Sequence, residues 1–169
     1  MHVNRKWRRL AACPAVVILI TGGAISAQGP ALAAAAGCVG SANGSWSDIC
    51  NVQEGDVSHL VEAIQVYTTS QENCAPDTFV DGTFGSGTKA AVICLQNDLS
   101  IPADGIVGPQ TWTAMQKGLT RLSNHGGFTY YTSLPCGCGG GNYRRTDDTG
   151  NWWTDANLTW VHMDSNPPS

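Results

Sequence analysis

The sequence predicts a mainly α fold: a disulfide-stapled three-helix bundle with a small β-meander as its C-terminal extension. Three observations predict it. Apolar residues recur at helical spacing in three segments between residues 57 and 119. Six cysteines, Cys38, Cys50, Cys74, Cys94, Cys136 and Cys138, follow a start that reads as an export signal. Beyond residue 125, short aromatic runs alternate with Gly- and Asp-rich turns. The chain divides accordingly into a signal peptide (1–33), a Gly/Ser-rich lead-in (34–52), a three-helix domain (53–120) and an aromatic- and Gly-rich β extension (125–169).

The signal reading rests on Arg5, Lys6, Arg8 and Arg9, with no acid, ahead of the apolar run from Leu10 to Ala27. Ala31-Leu32-Ala33 supplies small residues at A-x-A spacing, so cleavage is placed after Ala33, with Ala35 or Ala36 as alternatives. The apolar stretch is shorter than the ~20 residues of a spanning helix. A rival route is lipid modification at Cys38, since Ala35-Ala36-Gly37-Cys38 is a weak lipobox. That route leaves an odd number of cysteines, and simple secretion, to the outside or to the cell wall, is preferred. All thirteen acids lie beyond the signal, against Lys89, Lys117, Arg121, Arg144 and Arg145. A mature charge near −8 excludes a backbone-tracking nucleic-acid binder and argues against anionic membranes. A monomer is expected.

The six mature cysteines read as up to three disulfides with fifteen possible connectivities. Cys136 and Cys138 are too close to close a relaxed ring together, so each is expected to pair elsewhere. C-x-C flanked by glycines lacks zinc spacing, and no metal or cofactor is expected.

The lead-in shows no periodicity. Val57, Leu60, Val61, Ile64 and Tyr67 then lie on one helical face, with Asp56 as the expected N-cap. A second helix is predicted over Thr88–Leu99, with Ala91, Val92, Leu95 and Leu99 as its stripe. A third begins at Pro109, directs Trp112, Met115 and Leu119 to the core, and stops at Gly118. An internal repeat precedes the last two helices. Asp81-Gly82-Thr83-Phe84-Gly85 with Thr88 and Ala91 parallels Asp104-Gly105-Ile106-Val107-Gly108 with Thr111 and Ala114. Asp-Gly makes a tight turn, Phe84 or Val107 plugs into the core, and the next glycine turns the chain into a helix. One acid per loop is too few for an EF-hand calcium site.

These residues resemble the peptidoglycan-binding domain of bacterial cell-wall proteins. The resemblance covers about residues 54–119 and rests on Ile64-Gln65, the first Asp-Gly loop, Leu95-Gln96 and the run Asp104-Gly-Ile-Val-Gly-Pro-Gln-Thr-Trp112. It implies a compact three-helix fold that binds peptidoglycan, by stem peptide or glycan, in a shallow groove. The chain departs from the family at Leu95, where Phe is usual, in the long polar loop Ser70–Val80, and in Cys74 and Cys94, which add a staple. The motif glycines and Trp112 read as scaffold. Gln96, Asn97 and Asp104, with Asp81 as an outlier, are the candidate ligand contacts, a carboxylate there being suited to an ammonium of the stem peptide.

In the extension, Phe128–Thr132, Tyr143–Thr146, Trp152–Thr154 and Leu158–Met163 read as strands. Their aromatics suit either a small core or a sugar-stacking face. His59, His125 and His162 lack metal-peptidase spacing, and no glycosidase carboxylate pair or free thiol nucleophile is evident. The expected function is therefore non-catalytic peptidoglycan binding by a secreted protein. The alternatives are a small wall hydrolase with a minimal active site within residues 120–169, and a secreted scaffold or inhibitor that has lost wall binding.

Overall fold

A computed structural model describes residues 39–71, 74, 80–133 and 141–168, all within the unit Leu32–Ser169. The predicted signal peptide, Cys38, Cys136 and Cys138 lie outside the described residues. The helices are α1 (His59–Thr69), α2 (Ser86–Asp98) and α3 (Pro109–Lys117). They are followed by strands β1 (Thr120–His125), β2 (Phe128–Thr132), β3 (Asn142–Thr146), β4 (Trp152–Ala156) and β5 (Thr159–His162). The strands form one antiparallel sheet in the order β1-β2-β3-β4-β5.

This overturns the expected mainly α class. Three helices and a five-stranded sheet share one core, so the sheet is half of the architecture and not a small extension. The strand missed in the sequence is β1. It is polar and almost wholly exposed, so it carries none of the alternation that marks a half-buried strand. Its backbone pairing with β2 holds it in place, with a bulge between Arg121 and Ser123.

The central helix explains why helices and sheet cannot be separated. Every residue from Leu60 to Thr68 in α1 is buried. One side faces α2, and the other faces β4. The periodic stripe left out Ala63 and Val66, which are buried too, and the sheet side is fixed by Tyr143 of β3, which meets the Tyr67 ring at 6.3 Å and donates its hydroxyl to the Ala63 carbonyl at 2.8 Å. The helix starts later than expected. Ser58 is its N-cap, while Asp56 accepts from the Gln53 amide in the preceding turn. Val57, half-exposed, pairs with Thr83 instead of joining the helix.

The lead-in is also part of the core. A short 3-10 turn, Trp46–Asp48, buries Trp46 completely among Trp112, Tyr143 and Trp152, with ring centroids 5.3–5.8 Å away. Edge-to-face packing of this kind brings the lead-in, α3 and the sheet together around one indole. Gln116 of α3 fastens the turn by accepting from the Trp46 amide and donating to the Gly44 carbonyl. Cys74 and Cys94 are joined by a disulfide that ties α2 to the loop after α1, and Cys50 is also disulfide-bonded. Among the described residues, no helix is long and apolar enough to cross a membrane.

Candidate functional site

The repeat has a single structural cause: a buried glutamine clips each Asp-Gly loop. Gln65 donates through Nε2 to the Asp81 carboxylate, the Thr83 carbonyl and the Thr88 hydroxyl, at 2.9–3.1 Å. Its Oε1 accepts from the amides of Asp81 and Gly82. Gln96 does the same one repeat later. Its Nε2 reaches Asp104 Oδ1, the Ile106 carbonyl and the Thr111 hydroxyl, at 2.9–3.1 Å, and its Oε1 accepts from the Gly105 amide. A helix-borne amide thereby supplies the partners that a tight turn cannot supply itself. Gly82 and Gly105 sit at φ of +70° and +74°, where a Cβ is disfavoured. Phe84 and Val107 then enter the core with no exposure. Each loop also pairs with the chain ahead of α1: Val52 of the lead-in exchanges both backbone hydrogen bonds with Val107, and the Phe84 amide donates to the Asp56 carbonyl.

The four sequence-selected residues therefore fall into two kinds. Gln96 is buried, and its amide is spent on the loop. Asp81 and Asp104 are exposed residues, each with one carboxylate oxygen engaged by a glutamine and by the amide two residues on. Hydrogen bonds from Gln65 and from the Thr83 amide hold the Asp81 carboxyl below the usual carboxylate range. Asn97 is exposed near the end of α2.

Beside the second loop lies an open cleft of about 90 Å³, lined by Asn51, Gln96, Pro102, Asp104 and Ile106 and by the first turn of α3, Gly108 to Thr111. The α3 N-cap is Gly108, which has no side chain to cap the helix, and Pro109 has no amide proton, so Gln110 and Thr111 carry the first-turn amides beside the cleft. The cleft thus offers a carboxylate at one edge and a helix N-terminus at another, a pairing suited to a small ligand carrying both charges. Asn51 and Gln110 were not selected from the sequence. Asn51 lies in the aperiodic lead-in, and the Val52–Val107 pairing and the Trp112 indole bond to the Cys50 carbonyl bring it here.

A second polar grouping joins the start of α1 to the C-terminal segment. Asp164 accepts from, or shares a proton with, His59 Nδ1 through one oxygen and His162 Nδ1 through the other, both at 3.0 Å. Burial pushes the Asp164 carboxyl up, but hydrogen bonds from His162, Asn166 and His59 outweigh it and hold the group below the usual range. Glu62, one turn along α1 from His59, is buried with one oxygen unpaired; desolvation raises its pKa, opposed by His59 and reinforced by Asp81. A sequence separation of 105 residues hid the His59–Asp164 contact. Cys74, Cys94 and Asp98 bring three potential metal-ligand atoms together, but the two sulfurs are bonded to each other and offer no thiolate.

The zinc D-Ala-D-Ala carboxypeptidase of Streptomyces albus G is 33% identical over 82 residues, 48% of this chain and 32% of that protein. The alignment thus spans about a third of the relative's length. No solved structure matches. The family model described as a putative peptidoglycan binding domain matches residues 61–115. That segment runs from within α1 to Met115 and contains both glutamine-clipped loops, and it belongs to the peptidoglycan-binding domain family.

Proposed function

We propose that this chain is a secreted, non-catalytic protein that binds bacterial peptidoglycan in the cleft beside the second Asp-Gly loop. The observation that carries the reading is the coincidence of the family match with an open cleft at its C-terminal end. Asp104 would meet an ammonium of the stem peptide, and Asn51 and Gln110, which also line the cleft, would supply neutral hydrogen bonds; Asn97, outside that lining, would contribute only to a ligand long enough to reach the end of α2. Gln96 shapes the cleft wall from beneath, and Asp81 plays the equivalent scaffold part in the first loop. Affinity is modest, because the cleft is small and each ligand hydrogen bond nets only about 0.5–1.5 kcal/mol.

The test is sedimentation with purified walls at low and high salt. Asp104→Asn keeps the carbonyl oxygen that Gln96 and Ile106 require while removing the charge. Combined with Gln110→Ala, at an exposed position of the cleft lining, it is expected to abolish salt-sensitive binding and leave thermal unfolding unchanged. Wild-type protein that fails to sediment at low salt would overturn the reading.

A small wall hydrolase is the second reading. It is favoured by the His59–Asp164–His162 grouping, two members of which lie in residues 120–169, and by the relative's name. Release of soluble fragments or of D-alanine from the same walls, lost in His59→Ala, would replace binding with catalysis.

A further inference from the structure

The two faces of the sheet differ in what covers them. Strand register places Tyr131, Tyr143, Thr154 and Val161 in one row, where Tyr143 and Thr154 are fully buried, Tyr143 beneath α1. The neighbouring row, on the opposite face, runs Ser123–Tyr130–Arg144–Trp153–His162 across all five strands. Phe128, Asp155 and Trp160 flank this row on the same face, two residues or one strand pair away. Tyr130, Arg144, Trp153 and Trp160 all remain partly open to solvent.

The rings on this outer face form a continuous array. His125 stacks on Tyr130 at 4.4 Å with planes 10° apart, and Tyr130 meets Trp160 at 6.0 Å. The Arg144 guanidinium lies over Phe128, Trp160 and Trp153 at 4.3, 4.5 and 5.3 Å. Such stacking spreads the cation over the rings and flattens the surface. Four polar atoms in the array are shielded from solvent yet have no hydrogen-bond partner: Arg144 Nε, Trp153 Nε1, Asp155 Oδ1 and His162 Nε2. Native structures leave few such groups unpaired, and their concentration on one sheet face calls for an explanation.

We infer that the outer face of the five-stranded sheet is a second binding site, and that its ligand is a neutral saccharide chain. The rings require a partner with apolar C–H faces. The orphaned atoms require one with both donors and acceptors, since the arginine and indole nitrogens donate and the carboxylate accepts. Arg144 and Asp155 balance in charge, so the face favours neither a polyanion nor a polycation. An extended peptide satisfies its backbone at a sheet edge and not on its face. A saccharide lying on the rings, its hydroxyls reaching these shielded atoms as the partly open side chains above them shift, meets every requirement. With strands ~4.8 Å apart, five strands span about 19 Å, room for several sugar rings. The cleft beside Asp104 plays no part in this inference, which stands or falls independently of wall binding there.

The experiment uses full-length protein and two soluble probes, chitotetraose and cellotetraose. Titration is followed by intrinsic fluorescence and by the indole N–H resonances. At least one probe is expected to bind at millimolar concentration and to shift the Trp153 indole resonance as its N–H gains an acceptor. Trp160→Ala and Tyr130→Ala, at half-open positions, are expected to weaken binding about tenfold each. Lys117→Ala, at an exposed position at the end of α3, is expected to leave it unchanged. The inference is overturned if neither probe moves an indole resonance of wild-type protein, or if saccharide binding survives both ring substitutions. It is equally overturned if these resonances respond to an aromatic peptide and not to sugar.

Discussion

A glutamine side chain near the end of a helix looks like a surface residue in sequence, and here it is the reverse. Gln65 and Gln96 are each about 1% exposed and hold the two loops that define the repeat. The repeat itself was legible because Asp, Gly, the plug residue and Thr recur at fixed intervals. The glutamine's role was not, because the groups it satisfies are backbone amides, which leave no trace in a sequence. Replacing Gln96 with Leu keeps the volume but strands the Gly105 amide. The expected cost is about 1–3 kcal/mol in urea denaturation, with wall binding lost only in proportion to unfolding. An unfolding midpoint equal to wild type, with binding lost, would return Gln96 to the ligand-contact role first assigned to it. Asp104 and Asn97 were selected because exposed polar residues at loop and helix ends are visible from pattern alone, and of the two Asp104 lines the cleft. Asn51 was not, because its position depends on a long-range strand pairing.

The helices were read from periodicity, and α3 was placed to the residue because Pro109 and Gly118 punctuate it. The start of α1 was misplaced because two acceptors compete for the same turn. Asp56 is engaged by the Gln53 amide, leaving Ser58 to cap the helix. Two further α1 amides, His59 and Leu60, donate to the carbonyls of Asn166 and Asp164. The C-terminal segment therefore acts as an external cap for a helix about 100 residues earlier, with the Asp164 carboxylate fixing it to His59. The stability contributed by a carboxylate with a lowered pKa is complete above the ordinary carboxylate range and is lost as pH falls through the lowered value. Asp164→Asn is accordingly expected to lower the midpoint of thermal unfolding at neutral pH, and the deficit should shrink as the solution is acidified through that range. A deficit independent of pH would show that the group contributes shape and not charge. The β4–β5 hairpin was also legible, but not its turn, in which Asn157 and Leu158 both take positive φ and Leu158 projects almost wholly into solvent.

For the molecule as a whole, the sequence suggested a helical core with an appendage, whereas the buried cluster runs through every segment. Ala42, Trp46 and Ile49 from the lead-in, the faces of three helices, and Tyr143, Trp152 and Met163 from the sheet half belong to one core. The misreading has a physical origin. Local periodicity reports which face of an element is apolar, but not whether its partner lies in the next helix or in a strand far along the chain. Removing the sheet leaves the second face of α1 uncovered. A chain ending at residue 120 is expected to show no cooperative thermal transition, while Trp46→Ala in the full chain is expected to cost about 3–5 kcal/mol by calorimetry. Cooperative unfolding of the truncated chain near the full-length midpoint would restore the two-part architecture.

The pairing of the described chain's two ends also governs when the protein can fold. Ala42 and Met163 share a backbone hydrogen bond, Ser41 bridges Asp164, and α1 waits on the carbonyls of Asp164 and Asn166 for its cap. A chain growing from its N-terminus therefore makes its central helix about 100 residues before the segment that completes it. The last backbone partners of α1 are thus supplied only once residue 166 has been added.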